Sequence, residues 1–210
     1  MQAVSFPPRP IVGFPPRPVS SGIFTGTQLG KRDIATPKLN GMRVLIPRGE
    51  VAVYNRHGKP FTKMNTPTNA GDTFLPELHR HLCKYSHESV EWWDLEYLPV
   101  INAAVVIDVC ERTFERDYHA RRRLLREKAF TPANPIGDLT DMGRQRICMF
   151  PVYHDNATAL HWWRLMEAHY KHIGNGYLWE GLVAVDTTLP YMLTRKQSMN
   201  MEMHRKYKFR

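Results

Sequence analysis

The sequence predicts an α+β fold with largely antiparallel sheets, and three observations predict it. Short runs of alternating apolar residues fall in a hairpin-like pair, Val44-Leu45-Ile46 and Val51-Ala52-Val53, on either side of Pro47-Arg48-Gly49-Glu50. Two longer segments, 75–85 and 157–173, repeat their apolar residues at helical spacing instead. Strand pairs and helices then interleave along the chain, which is the order expected of α+β architecture.

Residues 1–22 carry an eight-residue repeat, Phe6-Pro7-Pro8-Arg9-Pro10-Ile11 followed by Phe14-Pro15-Pro16-Arg17-Pro18-Val19. Proline at this density enforces extended polyproline II and forbids helix. The segment reads as an arm that packs its phenylalanines on the core or hangs loose, with an adaptor ligand of the PxxP kind as the alternative. Ile34 to Tyr54 reads as strand, turn and hairpin, and Thr62 to Thr73 as a polar loop. Leu75 to Tyr85 is helical, with Pro76 in its first turn and Leu75, Leu78 and Leu82 on one face. Glu91 to Tyr97 is a strand whose alternation sets Asp94 and Glu96 opposite Trp93, Leu95 and Tyr97. Ala103 to Val109 is an apolar run typical of a buried strand.

Phe114 to Phe130 is expected as an amphipathic helix, with Phe114, Tyr118, Leu125 and Ala129 inward and Arg116, Arg122, Arg123 and Arg126 outward. Its Arg121-Arg122-Arg123 run suits either a solvated face or phosphate contact. Arg146 to Tyr153 reads as a strand. Ala157 to Ile173 is a helix with a core stripe of Leu160, Trp163, Met166, Tyr170 and Ile173, stopped by Gly174-Asn175-Gly176, and Tyr177 to Val185 is again a strand.

At 210 residues the chain can bury a real core. Its 29 Lys and Arg against 20 Asp and Glu, a formal +9, point to a polyanionic partner or to a solvated basic surface. Cys83, Cys110 and Cys148 are far apart and form no C-x-x-C pair, which argues against a zinc site or disulfide framework and for a reducing cytoplasm. His79 and His81 diverge on a helix, so they are not read as ligands. No apolar run is long enough to span a membrane and no signal-peptide core begins the chain, so a soluble protein without membrane partner is expected.

The segment Pro37-Lys38-Leu39-Asn40-Gly41-Met42-Arg43 carries the chemistry. A lysine amine attacks an α-phosphate only when neutral, and a nearby glycine lets phosphate and ribose approach the backbone. This stretch resembles the K-x-D-G-x-R signature of covalent nucleotidyltransferases, the polynucleotide ligases and mRNA capping enzymes. Further blocks follow in the family's order: Tyr54-Asn55-Arg56-His57-Gly58-Lys59-Pro60 is similar to S-R-N-G-K-P, Trp93-Asp94-Leu95-Glu96-Tyr97 to the D-G-E strand, and Val105-Val106-Ile107-Asp108-Val109 to the F-D-I/V block. Glu180-Gly181-Leu182-Val183 is similar to E-G-V/L-V, and Lys206-Tyr207-Lys208 to the terminal K-x-K.

The resemblance implies two packed, mainly antiparallel sheets with flanking helices and an ATP cleft between them, a nucleotidyltransferase domain over residues 23–210. It implies Lys38 as nucleophile, with Thr36, Asn40, Arg43, Arg56, Glu96, Ile107, Glu180, Lys206 and Lys208 around ATP, and Glu96 and Glu180 as holders of Mg2+ or Mn2+. Asn40 stands where the family has Asp, Ile107 where an aromatic residue stacks on adenine, and Thr36 where many relatives carry Glu. The chain ends two residues after Lys208, so no OB-fold is expected to follow. Grip on nucleic acid would then fall to the arm and to Arg121, Arg122, Arg123 and Arg126. The expectation is a monomeric ATP-dependent DNA ligase that seals nicks in duplex DNA, with RNA-containing duplexes as possible substrates. RNA ligase and a catalytically retired nucleic-acid-binding fold are the alternatives.

Overall fold

A computed structural model describes residues 17–61, 74–111, 116–126, 129–132, 146–173, 178–191 and 200–209. Two sheets face each other. The first has the strand order β1-β10-β9-β2, from β1 (Arg17–Ser20), β10 (Asn200–Lys208), β9 (Trp179–Asp186) and β2 (Asp33–Leu39). The second runs β4-β3-β5-β6-β8-β7, from β4 (Tyr54–Asn55), β3 (Met42–Pro47), β5 (Val90–Leu98), β6 (Ala103–Glu111), β8 (Ile147–Met149) and β7 (Thr131–Pro132). Among the described residues three α-helices accompany them: α1 (Phe74–Tyr85), α2 (Tyr118–Arg122) and α3 (Asn156–Ile173).

Period-two alternation assigns each sheet an outer and an inner face. Leu182 and Ala184 of β9, with Ala35 and Leu39 of β2, join Ala159, Trp163 and Met166 of α3 in one core. Val44 and Ile46 of β3, with Trp93, Leu95 and Tyr97 of β5, join Phe74, Leu75, Leu78 and Leu82 of α1 in another. α3 and α1 therefore each cover the outer face of one sheet. The inner faces, carrying the intervening residues of the same strands, are left to bound a cleft.

The architecture is the expected α+β, but the sheets are mixed. β1 with β10, β6 with β8, and β7 with β8 run parallel; the other pairs are antiparallel. The hairpin's return strand starts at Tyr54 rather than Val51, whose side chain is exposed. The end of the proline-rich segment is strand: Arg17–Ser20 adds to the free edge of β10. Only Ile147–Met149 of the strand expected over 146–153 pairs in the sheet, with Tyr153 making a separate bridge to Ala35. The Thr62–Thr73 loop, residues 1–16 of the arm and the Gly174-Asn175-Gly176 stop lie outside the described residues.

The long helix expected over 114–130 is corrected most. Among the described residues of that stretch only Tyr118–Arg122 is α-helical, opened by the Asp117 side chain accepting from the Ala120 N–H at 2.7 Å. The chain then turns back toward α1: the Arg126 N–H donates to the Tyr85 carbonyl at 2.7 Å, and Leu125 bridges Ser86. Leu124, Leu125 and Phe130 are buried in the α1 core.

Candidate active site

The inner faces enclose a cleft of about 480 Å³ that reaches residues of both sheets, among them Thr36, Lys38, Gly41, Arg43, Arg56, Glu96, Ile107, Glu180 and Lys206. Most of the positions singled out in the sequence thus converge on one cavity. Lys208 lies outside its lining, bonded to Glu180, and Asn40 does not line it either. That residue is exposed at the β2–β3 turn, where its N–H donates to the Leu178 carbonyl at 2.7 Å.

Lys38 is the last-but-one residue of β2 and pairs with Gly181 of β9. The register then slips, because Leu39 pairs with Trp179 and Glu180 is the extra residue of a bulge. The bulge turns the Glu180 carboxylate to the cleft, where its Oε1 accepts from the Lys38 Nζ and its Oε2 from the Lys208 Nζ at 2.6 Å. Burial raises the Glu180 pKa, but the two lysines outweigh it and hold the carboxyl below its usual range. Gly181 makes the bulge possible. Its φ of 148° is glycine territory, and a Cβ there would overlap the Tyr207 carbonyl of β10.

A second bulge shapes the opposite wall. In the β5–β6 pairing Asp94 faces Asp108 and Leu95 faces Val106, which leaves Ile107 unpaired. Neighbouring strand residues normally point to opposite faces, yet here Ile107 and Asp108 both line the cleft. Beside them the Arg43 guanidinium forks onto Asp94, with Nε 2.8 Å from Oδ1, and the Tyr191 hydroxyl donates to Asp94 Oδ2 at 2.7 Å. Burial opposes the Arg43 charge, but Asp94 more than compensates and fixes it as a cation.

Glu96 stands two residues along β5 on the same wall. Burial pushes its carboxyl up to about 7, although Arg43 and Lys38 pull the other way. Gly41 is what lets β3 come this close, since a Cβ would sit 2.6 Å from the Tyr97 carbonyl and 2.8 Å from the Glu96 Cγ. The glycine expected to admit a nucleotide therefore also admits the protein's own β5. Arg56 is presented by a tight turn: the Asn55 carboxamide accepts from the N–H groups of His57 at 2.8 Å and Lys59 at 3.1 Å, and Gly58 takes φ 70°.

The arginine cluster divides. Arg121, expected at a nucleic-acid surface, is buried at 3 % exposure. Its fork holds Asp108, Nε to Oδ1 at 2.9 Å and the terminal nitrogen to Oδ2 at 2.8 Å, and its other nitrogen donates to the Arg116 and Leu189 carbonyls. It is a strut of the cleft wall. Arg122 is half-buried and donates to the Tyr118 hydroxyl at 3.1 Å, whereas Arg123 and Arg126 are exposed.

Asp94, Asp108, Tyr191 and His204 are site residues that sequence reasoning did not assign. His204 had a visible signal, lying two residues before Lys206 on an alternating strand. Tyr191 had none.

Solved structures that this chain resembles in fold include DNA ligases. The ligase domain of M. tuberculosis LigD superposes with a TM-score of 0.54 at 14% identity, over 92% of this chain and 59% of that one. A mycobacterial DNA ligase D complexed with ATP and MES gives 0.57 at 16% identity, over 93% and 60%. The fold is that of a DNA ligase nucleotidyltransferase domain. Chlorella virus DNA ligase-adenylate agrees, with a TM-score of 0.51 at 11% identity over 94% and 69%. The chain spans about three-fifths of the length of the two LigD structures. No model of a known protein family matches the sequence, and no curated protein matches it.

Proposed function

We propose that this chain is an ATP-dependent polynucleotide ligase working through a lysine–AMP intermediate, with nicked duplex DNA as its substrate. The observation that carries the reading is the meeting of Lys38, Glu180 and Lys208 at one end of a cleft whose walls also present Glu96, Arg43, Arg56 and Lys206. A single reactive amine is surrounded by cations for phosphate and by carboxylates for a divalent ion, on a fold shared with DNA ligases.

In the first step the Lys38 Nζ attacks the α-phosphorus of ATP, a P–N bond forms, and the P–O bond to pyrophosphate breaks. The amine must first give up a proton and leave Glu180, the carboxylate that now holds it. Lys206, Lys208 and Arg56 neutralise the phosphate oxygens and orient them. A 5′-phosphate oxygen of the nick next displaces Lys38 from the AMP, and the 3′-hydroxyl then displaces AMP to close the backbone.

The donor set fits magnesium or manganese. Such ions are commonly held by one or two carboxylates together with substrate phosphates, and Glu96 and Glu180 are the carboxylates available. Among the described residues no three His, Cys, Asp or Glu side chains gather to hold a metal without a nucleotide. A bound ion would draw charge from the α-phosphate during attack. Exposed Arg123 and Arg126 extend the basic surface on which the duplex would lie.

The test is a sealing assay on four matched nicked duplexes, with DNA or RNA on each side of the nick. Sealing of the all-DNA nick is expected at the highest rate. Faster sealing of RNA ends would make the chain an RNA ligase, and no sealing of any duplex would contradict the reading.

A further inference from the structure

The register of the first sheet orders the cleft from end to end. Lys208 lies beside Gly181, which pairs with Lys38; Lys206 lies beside Val183, which pairs with Thr36; His204 lies beside Val185, which pairs with Ile34. Each step is two residues, so His204 stands about 13 Å along the strands from the Lys38 row. Between the two ends this wall carries Val183 with Thr36 and Lys206, and Ile107 faces the cleft from the opposite wall. A nucleotide whose α-phosphate meets Lys38 and whose sugar follows this wall delivers its base to the His204 end.

At that end the other polar side chains are engaged. Asp94 is taken by Arg43 and Tyr191, Asp108 by Arg121, and the Tyr118 hydroxyl by Arg122. His204 lines the cleft and has no hydrogen-bond partner among the described residues. Burial and the Arg43 and Arg121 guanidiniums push its pKa down to about 4, against a weaker pull from Asp94, so the imidazole is neutral at physiological pH. A neutral ring keeps one acceptor nitrogen. The committed guanidiniums supply this end with donors, and an accessible acceptor is what it otherwise lacks.

We propose that His204 reads the nucleobase, accepting a hydrogen bond from the exocyclic amine at position 6 of adenine. The inference rests on Lys38 being the nucleotide-accepting lysine. It assigns base selection to β10, on the side of the cleft away from the Ile107 position.

The experiment compares ATP with purine riboside triphosphate, which lacks that amine, in wild type, His204→Leu and His204→Gln. Covalent nucleotide transfer and calorimetric binding are both measured. Wild type should favour ATP by roughly three- to tenfold, the value of one neutral hydrogen bond. His204→Leu should raise the KM for ATP by that factor and leave that for the amine-free analogue unmoved. His204→Gln, which retains an acceptor, should recover part of the preference, and its recovery shows that the loss in the leucine variant is not misfolding. An ATP preference equal in wild type and His204→Leu, or absent from wild type, overturns the proposal. Binding of ATP without covalent transfer would remove Lys38 as nucleophile while the binding preference still decides the role of His204. Failure of wild type to bind either nucleotide overturns both.

Discussion

Replacing Glu96 with glutamine should stabilise the nucleotide-free protein at neutral and alkaline pH while disabling it. The Glu96 carboxyl sits at about 7 in the fold against an ordinary value of 4.5, chiefly because burial penalises its charge. A carboxyl whose folded pKa is raised binds more protons folded than unfolded between those two values. Its contribution is therefore most favourable below pH 4.5 and is lost as pH rises through about 7. The gap corresponds to about 3 kcal/mol. Glutamine has the same shape, can still accept from the Gly41 N–H that faces Glu96, and does not titrate. Urea unfolding of both proteins across this range should show the variant's gain on wild type setting in above pH 4.5 and levelling off at about 3 kcal/mol above roughly pH 7. Nucleotide transfer should be lost in the variant, and in wild type should climb as the carboxylate forms through about pH 7. A stability difference that does not change with pH would refute the claim that burial strains this carboxylate.

Three further outcomes follow from the geometry. Arg121→Met should cost about 3–5 kcal/mol in denaturant unfolding, because it leaves Asp108 in the wall without its counter-charge, whereas Arg123→Ala and Arg126→Ala should each stay within about 0.5 kcal/mol and weaken binding to nicked duplex. Gly181→Ala, which places a Cβ against the Tyr207 carbonyl, should destabilise by about 3 kcal/mol or more in the same measurement, since the conformation at φ 148° excludes side chains. Binding of nicked DNA, followed by fluorescence anisotropy, should weaken steeply with added salt, because each neutralised phosphate adds to the slope; a flat salt profile would mean that the basic surface makes few phosphate contacts.

What was legible in the sequence is what short-range periodicity carries. The alternation in Trp93-Asp94-Leu95-Glu96-Tyr97 separates a wall of the α1 core from a wall of the cleft, and the structure divides those residues the same way. The stripe at Trp163 and Met166 is likewise core. Pairings between distant segments were not legible. Arg121 belongs to an arginine run that looks solvated, and its partner Asp108 is on β6, thirteen residues earlier, behind a bulge that no local pattern signals. Arg43 is held by Asp94 across 51 residues and Tyr191 reaches the same carboxylate across 97. The 114–130 stretch misled because its buried residues obey a long-range demand, closure against the end of α1, rather than helical spacing. The parallel pairing of β6 with β8 is hidden for a similar reason, since an apolar run announces burial and not the direction of its neighbour.

The proposed chemistry turns on one amine. Incubating the protein with ATP and magnesium and mapping the product by peptide mass measures it most directly. A single AMP on Lys38 is predicted, through a bond stable to base and broken by acid, with no adduct and no sealing in Lys38→Ala. Lys38→Arg should fail as well, because a guanidinium stays protonated and cannot attack. An AMP adduct on another residue, or adenylation of Lys38→Ala at the wild-type rate, would contradict it.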